Sequence, residues 1–167
     1  MSLATRSKAH DPPAESNDNQ GQLKRLRSEL GSLMMSGDPG ISAFPVESLL
    51  RWTGTIQGPD ESVYAGKTYK LTITFPADYP YSPPTIVFAS PIFHPNVDQN
   101  GAICLDILQD KWSAIYNVRT TLLSIRSLLT DPNNASPLNA MAAQLWGNPD
   151  EFRVEVDKRY VPHEELP

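Results

Sequence analysis

Apolar and polar positions along the chain follow two periods, and each period predicts a different element. Leu23, Leu26, Leu30, Leu33 and Met34 recur at three- and four-residue steps, the spacing of one helical face, so a helix is predicted from about Asn19 to Met35. Lys24, Arg25 and Arg27 take its other faces, and Ser36-Gly37-Asp38-Pro39-Gly40 ends it with residues that favour turns. In Lys67 to Phe75 the period drops to two, with Tyr69, Leu71, Ile73 and Phe75 alternating with Lys70, Thr72 and Thr74. Together with Leu49 to Gln57 and the turn Gly58-Pro59-Asp60, that run predicts a half-buried antiparallel hairpin. A third β-rich run, Thr85 to Phe88, follows a proline cluster, so three or four strands are expected in a meander with one face available to helices.

Helical spacing returns at Val118, Leu122, Ile125 and Leu129, a strongly apolar helix that should pack centrally until Asp131-Pro132-Asn133-Asn134 stops it. A short helix is expected around Leu138 to Trp146. Asn148-Pro149-Asp150-Glu151 then reads as N-cap, N1, N2 and N3 of a last helix that reaches about Tyr160 and turns Phe152, Val156 and Tyr160 inward. The order of helix, strands, long loop and three helices places the chain in the α+β class with an antiparallel sheet. Residues 1–20, rich in Asp, Asn, Ser, Pro and Ala without apolar period, are expected to form a flexible N-terminal extension. One domain over 21–162 and a short tail over 163–167 complete the expected organisation.

Composition narrows the function classes. With 40% hydrophobic and 20% charged residues in 167, the chain can bury one sizeable core. A net charge of -5 argues against nucleic acid as partner, because phosphate neutralisation needs clustered Lys and Arg. No apolar run approaches the roughly 18 residues that span a bilayer, and residues 1–20 lack a signal-peptide core. Cytoplasm and nucleus are the expected locations. One cysteine excludes an internal disulfide and a four-thiolate zinc site, and no His or Cys stands at ligand spacing, so no metal is expected.

The segment Ala89 to Tyr116 has no clean period, which marks it as a candidate functional loop. His94-Pro95-Asn96 precedes Cys104, with the turn signal Asn100-Gly101 between them and Ile103 and Leu105 as local apolar anchors. This spacing can fold Asn96 back beside Cys104. A thiolate is a strong nucleophile, and a neighbouring amide can stabilise the oxyanion formed when an acyl group on sulfur is attacked, so the pair suits acyl transfer through a thioester. Alone, Cys104 reads first as a buried apolar filler, His94 as a hydrogen-bonded structural residue and Asn96 as a turn residue.

In combination, Tyr79-Pro80 with Pro83-Pro84, His94-Pro95-Asn96, Cys104-Leu105-Asp106-Ile107-Leu108 and Trp112-Ser113 resemble the ubiquitin-conjugating enzyme family over about Gln22 to Tyr160. The resemblance implies that family's fold: one helix, a four-stranded antiparallel meander, a long active-site loop and three helices. It implies that Cys104 takes the ubiquitin carboxyl terminus from an activating enzyme as a thioester and yields it to a substrate lysine beside a ligase. Asn96 becomes the oxyanion donor or loop stabiliser, with His94, Pro95 and Asp106 as structural members of the site. Ser136, before Pro137, stands where many members carry an acidic residue that prepares the incoming lysine. No cofactor is expected to bind, since ATP is consumed by the activating enzyme and no Gly-rich phosphate loop is present.

The same resemblance assigns Lys24, Arg25 and Arg27 to a docking face for the activating enzyme and ligases, and Tyr81, Ala114 and Ile115 to the grip of a RING-type ligase. Leu33 to Pro45, and Trp112 to Tyr116 with Val118-Arg119-Thr120, look like the mitotic branch of the family, which works with the anaphase-promoting complex on cyclins. A monomer is the family expectation. Three alternatives stay open: a thiol hydrolase using Cys104 with His94 as base, a silent ubiquitin-binding variant, and a carrier of another ubiquitin-like modifier. Trp52, Trp112 and Tyr79 are expected to pack rather than react.

Overall fold

The computed structural model describes residues 17–167. Most of the expected N-terminal extension, residues 1–16, lies outside the described residues. Helix α1 (Asn17–Ser36) begins two residues before the predicted start at Asn19, a difference within the usual latitude of helix ends. Four strands follow, β1 (Ile41–Val46), β2 (Ser48–Gln57), β3 (Thr68–Thr74) and β4 (Thr85–Phe88), in an antiparallel meander of order β1-β2-β3-β4. Helices α2 (Val118–Leu128), α3 (Ala140–Leu145) and α4 (Pro149–Arg159) complete the chain, with 3-10 turns at Asp106–Leu108 and His163–Glu165.

Alternation along the strands sends one set of side chains inward. Pairing sets Trp52 against Ile73, Ile56 against Tyr69 and Leu71 against Phe88, and all six are buried. The core face of α2 closes over this layer with Val118, Leu122 and Ile125, none of them accessible to solvent. Asn117 caps the helix: its side chain accepts from Thr120 N at 2.8 Å while the Thr120 hydroxyl accepts from Asn117 N at 3.0 Å. Asn148 caps α4 as the sequence predicts, accepting from Glu151 N at 3.3 Å.

Three local differences separate the structure from its sequence pattern. Strand β1 holds Pro45, which an edge strand tolerates because its N–H need not join a ladder, and the register shifts between Pro45 and Val46. Helix α1 buries Gln22, Leu26 and Glu29, half-buries Leu23, Leu30 and Leu33, and leaves Met34 78% exposed, so its inner face is rotated from the apolar stripe toward two polar residues. Both polar residues have partners: Gln22 donates to Pro76 O at 2.5 Å, and Glu29 accepts three hydrogen bonds. Tyr160, expected in the core, is half-buried at the end of α4, where its hydroxyl accepts from Thr68 N at 3.0 Å.

Candidate active site

Between β4 and α2 the chain has little regular structure, so its shape is set by named hydrogen bonds. Asp98 makes the turn: its Oδ1 accepts from Asn100 N at 2.8 Å and from Ala102 N at 2.9 Å. Gly101 sits at φ 85°, and a Cβ there would lie 2.0 Å from Phe88 O, so glycine alone fits where the turn presses on β4. The returning chain pairs Ile103 with Val97, and Cys104 N donates to Asn96 O at 2.8 Å. The backbones of Asn96 and Cys104 are therefore adjacent, as the spacing allows. The Cys104 thiol is free and half-buried. Asp106 follows on the surface, its Oδ1 accepting from Ile107 N at 2.8 Å and so bracing the loop after the thiol.

A buried platform supports this loop. His94 is inaccessible; Nε2–H donates to Leu128 O at 2.7 Å and Nδ1 accepts from Asn96 N at 3.0 Å, which fixes one neutral tautomer. Burial pushes its imidazole down to about 4, the bond to Leu128 O opposing only in part. Both ring nitrogens are occupied and the ring is neutral, so His94 has no lone pair to offer Cys104 as a base. Asn96, also inaccessible, clamps Asn133 through two bonds: Nδ2 donates to Asn133 O at 2.6 Å and Oδ1 accepts from Asn133 N at 2.9 Å. Pro95 O accepts from Leu138 N at 2.8 Å and Asn139 N at 3.1 Å, stitching the segment after α2 to the same platform. Ser136 is exposed on that segment.

The family profile described as "Ubiquitin-conjugating enzyme" matches residues 25–160, most of the chain. The chain belongs to the ubiquitin-conjugating enzyme family. A Schizosaccharomyces pombe protein named "Ubiquitin-conjugating enzyme E2-20 kDa" is 56% identical over 165 residues, 97% of this chain and 94% of its own length. Among solved structures, the E2 domain of a Toxoplasma gondii ubiquitin conjugating enzyme aligns with a TM-score of 0.74 at 39% identity, covering 82% of this chain and 94% of that one. The helix, four-stranded sheet and further helices described above are this family's fold. Membership brings ubiquitin, an activating enzyme and a ligase as partners of this ubiquitin-conjugating enzyme.

Two loops of the conjugating enzyme carry apolar side chains into solvent. Tyr81 and Ile115 are each 82% exposed, while the loop bases are packed. Trp112 Nε1 donates to Pro80 O at 2.8 Å and joins the loops, with its ring 6.0 Å from that of Tyr79. Ala114 is half-buried beside Ile115. Of the three basic residues expected on the α1 docking face, Lys24 and Arg27 are exposed. Arg25 is committed inward instead: it donates to Glu29 at 2.8 Å, to Ala114 O at 3.0 Å and to Tyr116 O at 2.7 Å. Glu29 is absent from the sequence expectations, because a lone acidic residue on a helix ordinarily faces water. The one signal available was its helical step from Leu26, which puts it on the inner face.

Proposed function

We propose that Cys104 is the residue that carries ubiquitin. Its Sγ attacks the carbonyl of the ubiquitin thioester on the activating enzyme, a new C–S bond forms, and the activating enzyme's thiolate leaves. A substrate lysine amine then attacks the Cys104 thioester; the amide bond forms, the Cys104 thiolate leaves, and the amine's surplus proton passes to solvent. Support comes from the half-exposed thiol on a loop whose backbone is held by Asn96, Asp98 and Gly101. Asn96 acts as loop stabiliser through its two-bond clamp to Asn133, with any donation to the oxyanion left to its second Nδ2–H. With Ser136 where a carboxylate would otherwise stand, the lysine is activated by desolvation of its amine, which lowers its pKa, or by an acidic group of the substrate or of ubiquitin.

Tyr81, Ala114 and Ile115 form the surface for a RING-type ligase, with Lys24 and Arg27 as an adjoining electrostatic face. The ligase is the anaphase-promoting complex and the substrates are mitotic cyclins, a reading supported by the segments Leu33 to Pro45 and Trp112 to Thr120. The enzyme works as a monomer in cytoplasm and nucleus, without a bound cofactor. The deciding experiment mixes the chain with ubiquitin, activating enzyme and Mg-ATP, then runs a non-reducing gel. A band one ubiquitin heavier that thiol reductant removes is expected, with Cys104→Ser giving a band that resists reductant. No adduct from the folded chain beside an active control enzyme would sink the proposal.

A further inference from the structure

Among the described residues Glu29 is the only buried carboxylate, and two of its three hydrogen bonds leave its own helix. Oε2 accepts from Arg25 Nε at 2.8 Å and from the Tyr79 hydroxyl at 2.7 Å, and Oε1 accepts from Val118 N, in the first turn of α2, at 2.7 Å. Tyr79 begins the loop that ends in exposed Tyr81. Arg25, oriented by Glu29, holds the carbonyls of Ala114 and Tyr116, the two residues that flank exposed Ile115. One carboxylate thus fixes the bases of both loops at once.

We propose that Glu29 is a positioning residue for ligase-stimulated transfer, setting the separation of the Tyr81 and Ile115 anchors although the ligase does not touch it. The inference deepens the reading above and rests on those anchors facing the ligase. Loop tips more than four-fifths exposed have no packing of their own to hold them. Anchors already held in place spare a partner the entropy of ordering them. Charge-assisted bonds to a carboxylate are short and directional, which suits a strut. An amide of the same shape keeps one acceptor oxygen and turns an NH2 toward at least one of the three donors.

The test charges Glu29→Gln with ubiquitin and follows single-turnover discharge to lysine while a RING-type ligase is titrated. The half-saturating ligase concentration is expected to rise about tenfold, with the rate at saturating ligase falling by less than about threefold, because preorganisation acts on binding. Tyr79→Phe, which removes one donor and no charge, should move the same constant about threefold, and it decides the matter if Glu29→Gln fails to fold. In Glu29→Gln/Ile115→Ala, the combined shift should fall short of the product of the two single shifts, since Glu29 acts through that anchor. Equal loss of ligase-free and ligase-stimulated discharge, or a full product in the double variant, overturns the inference. If Tyr81→Ala and Ile115→Ala themselves leave the ligase titration unmoved, the ligase surface falls first, an outcome distinct from failure of Glu29 alone.

Discussion

Two polar hubs hold the Cys104 loop and the pair of loops that carry Tyr81 and Ile115, and they are built from opposite materials. Under Cys104, His94 and Asn96 are neutral, and their partners are backbone groups of Leu128, Asn133 and Asn96 itself. Under the Tyr79–Tyr81 and Trp112–Tyr116 loops, Arg25 and Glu29 are charged, and their partners include a phenol, two carbonyls and a helix N-terminus. The neutral hub adds no fixed charge beneath the Cys104 loop. The charged hub binds more strongly and is more exposed to damage, because a buried charge stripped of its partners is expensive.

That contrast breaks most sharply at Glu29. Glu29→Ala leaves the Tyr79 hydroxyl, the Val118 N–H and the Arg25 Nε–H without their acceptor, and Tyr79 is only 2% exposed. Burial and the Glu29 charge hold the Tyr79 phenol far above its ordinary range, so it stays a donor with nothing to give to. A loss of about 3 kcal/mol in unfolding free energy is expected from urea titration. A loss under about 1 kcal/mol would show that water replaces the carboxylate and that the hub is wetter than its burial implies.

The neutral hub should break with acid. Folded His94 stays neutral down to about 4, whereas the free imidazole takes a proton near 6.5. Between those values the unfolded chain binds more protons, so stability rises with pH across the window and is lost as pH falls through it. From pH 7 to pH 5 this group alone should remove about 2 kcal/mol. Urea titrations at several pH values check it: His94→Gln should lose the part of the slope between pH 5 and pH 6.5, and an unchanged slope would assign the acid sensitivity to other groups.

The two hubs also differ in how far the sequence reveals them. His94, Pro95 and Asn96 are contiguous, and the Asn100-Gly101 turn returns the chain over a few residues, so the closeness of Asn96 to Cys104 follows from local spacing. The central position of α2 and the cap of α4 are legible for the same reason, since each is written in a short period or a short motif. Glu29 meets Tyr79 and Val118 across 50 and 89 residues, and no local pattern encodes such a meeting. Strand β1 is masked in the sequence by Pro45, which the sheet accommodates on an edge strand at a shift of register. Asn133 was legible as a helix stop, yet its backbone service to Asn96 depends on where α2 ends in space.

The smallest effect on stability should accompany a large effect on partnership. Ile115 is 82% exposed, so truncation to alanine removes little surface that folding had buried, and the Trp112 and Arg25 bonds that hold its loop involve other residues. Ile115→Ala is expected to change unfolding free energy by less than about 0.5 kcal/mol, with the urea midpoint and slope close to those of the parent chain. Interface anchors of this kind commonly cost more than about 1 kcal/mol of binding when removed, which here would be read as weaker ligase-stimulated discharge. The two measurements on one variant separate a side chain that serves the fold from one that serves a partner. A destabilisation above about 1 kcal/mol would instead make Ile115 part of the loop's own packing and move the ligase surface elsewhere.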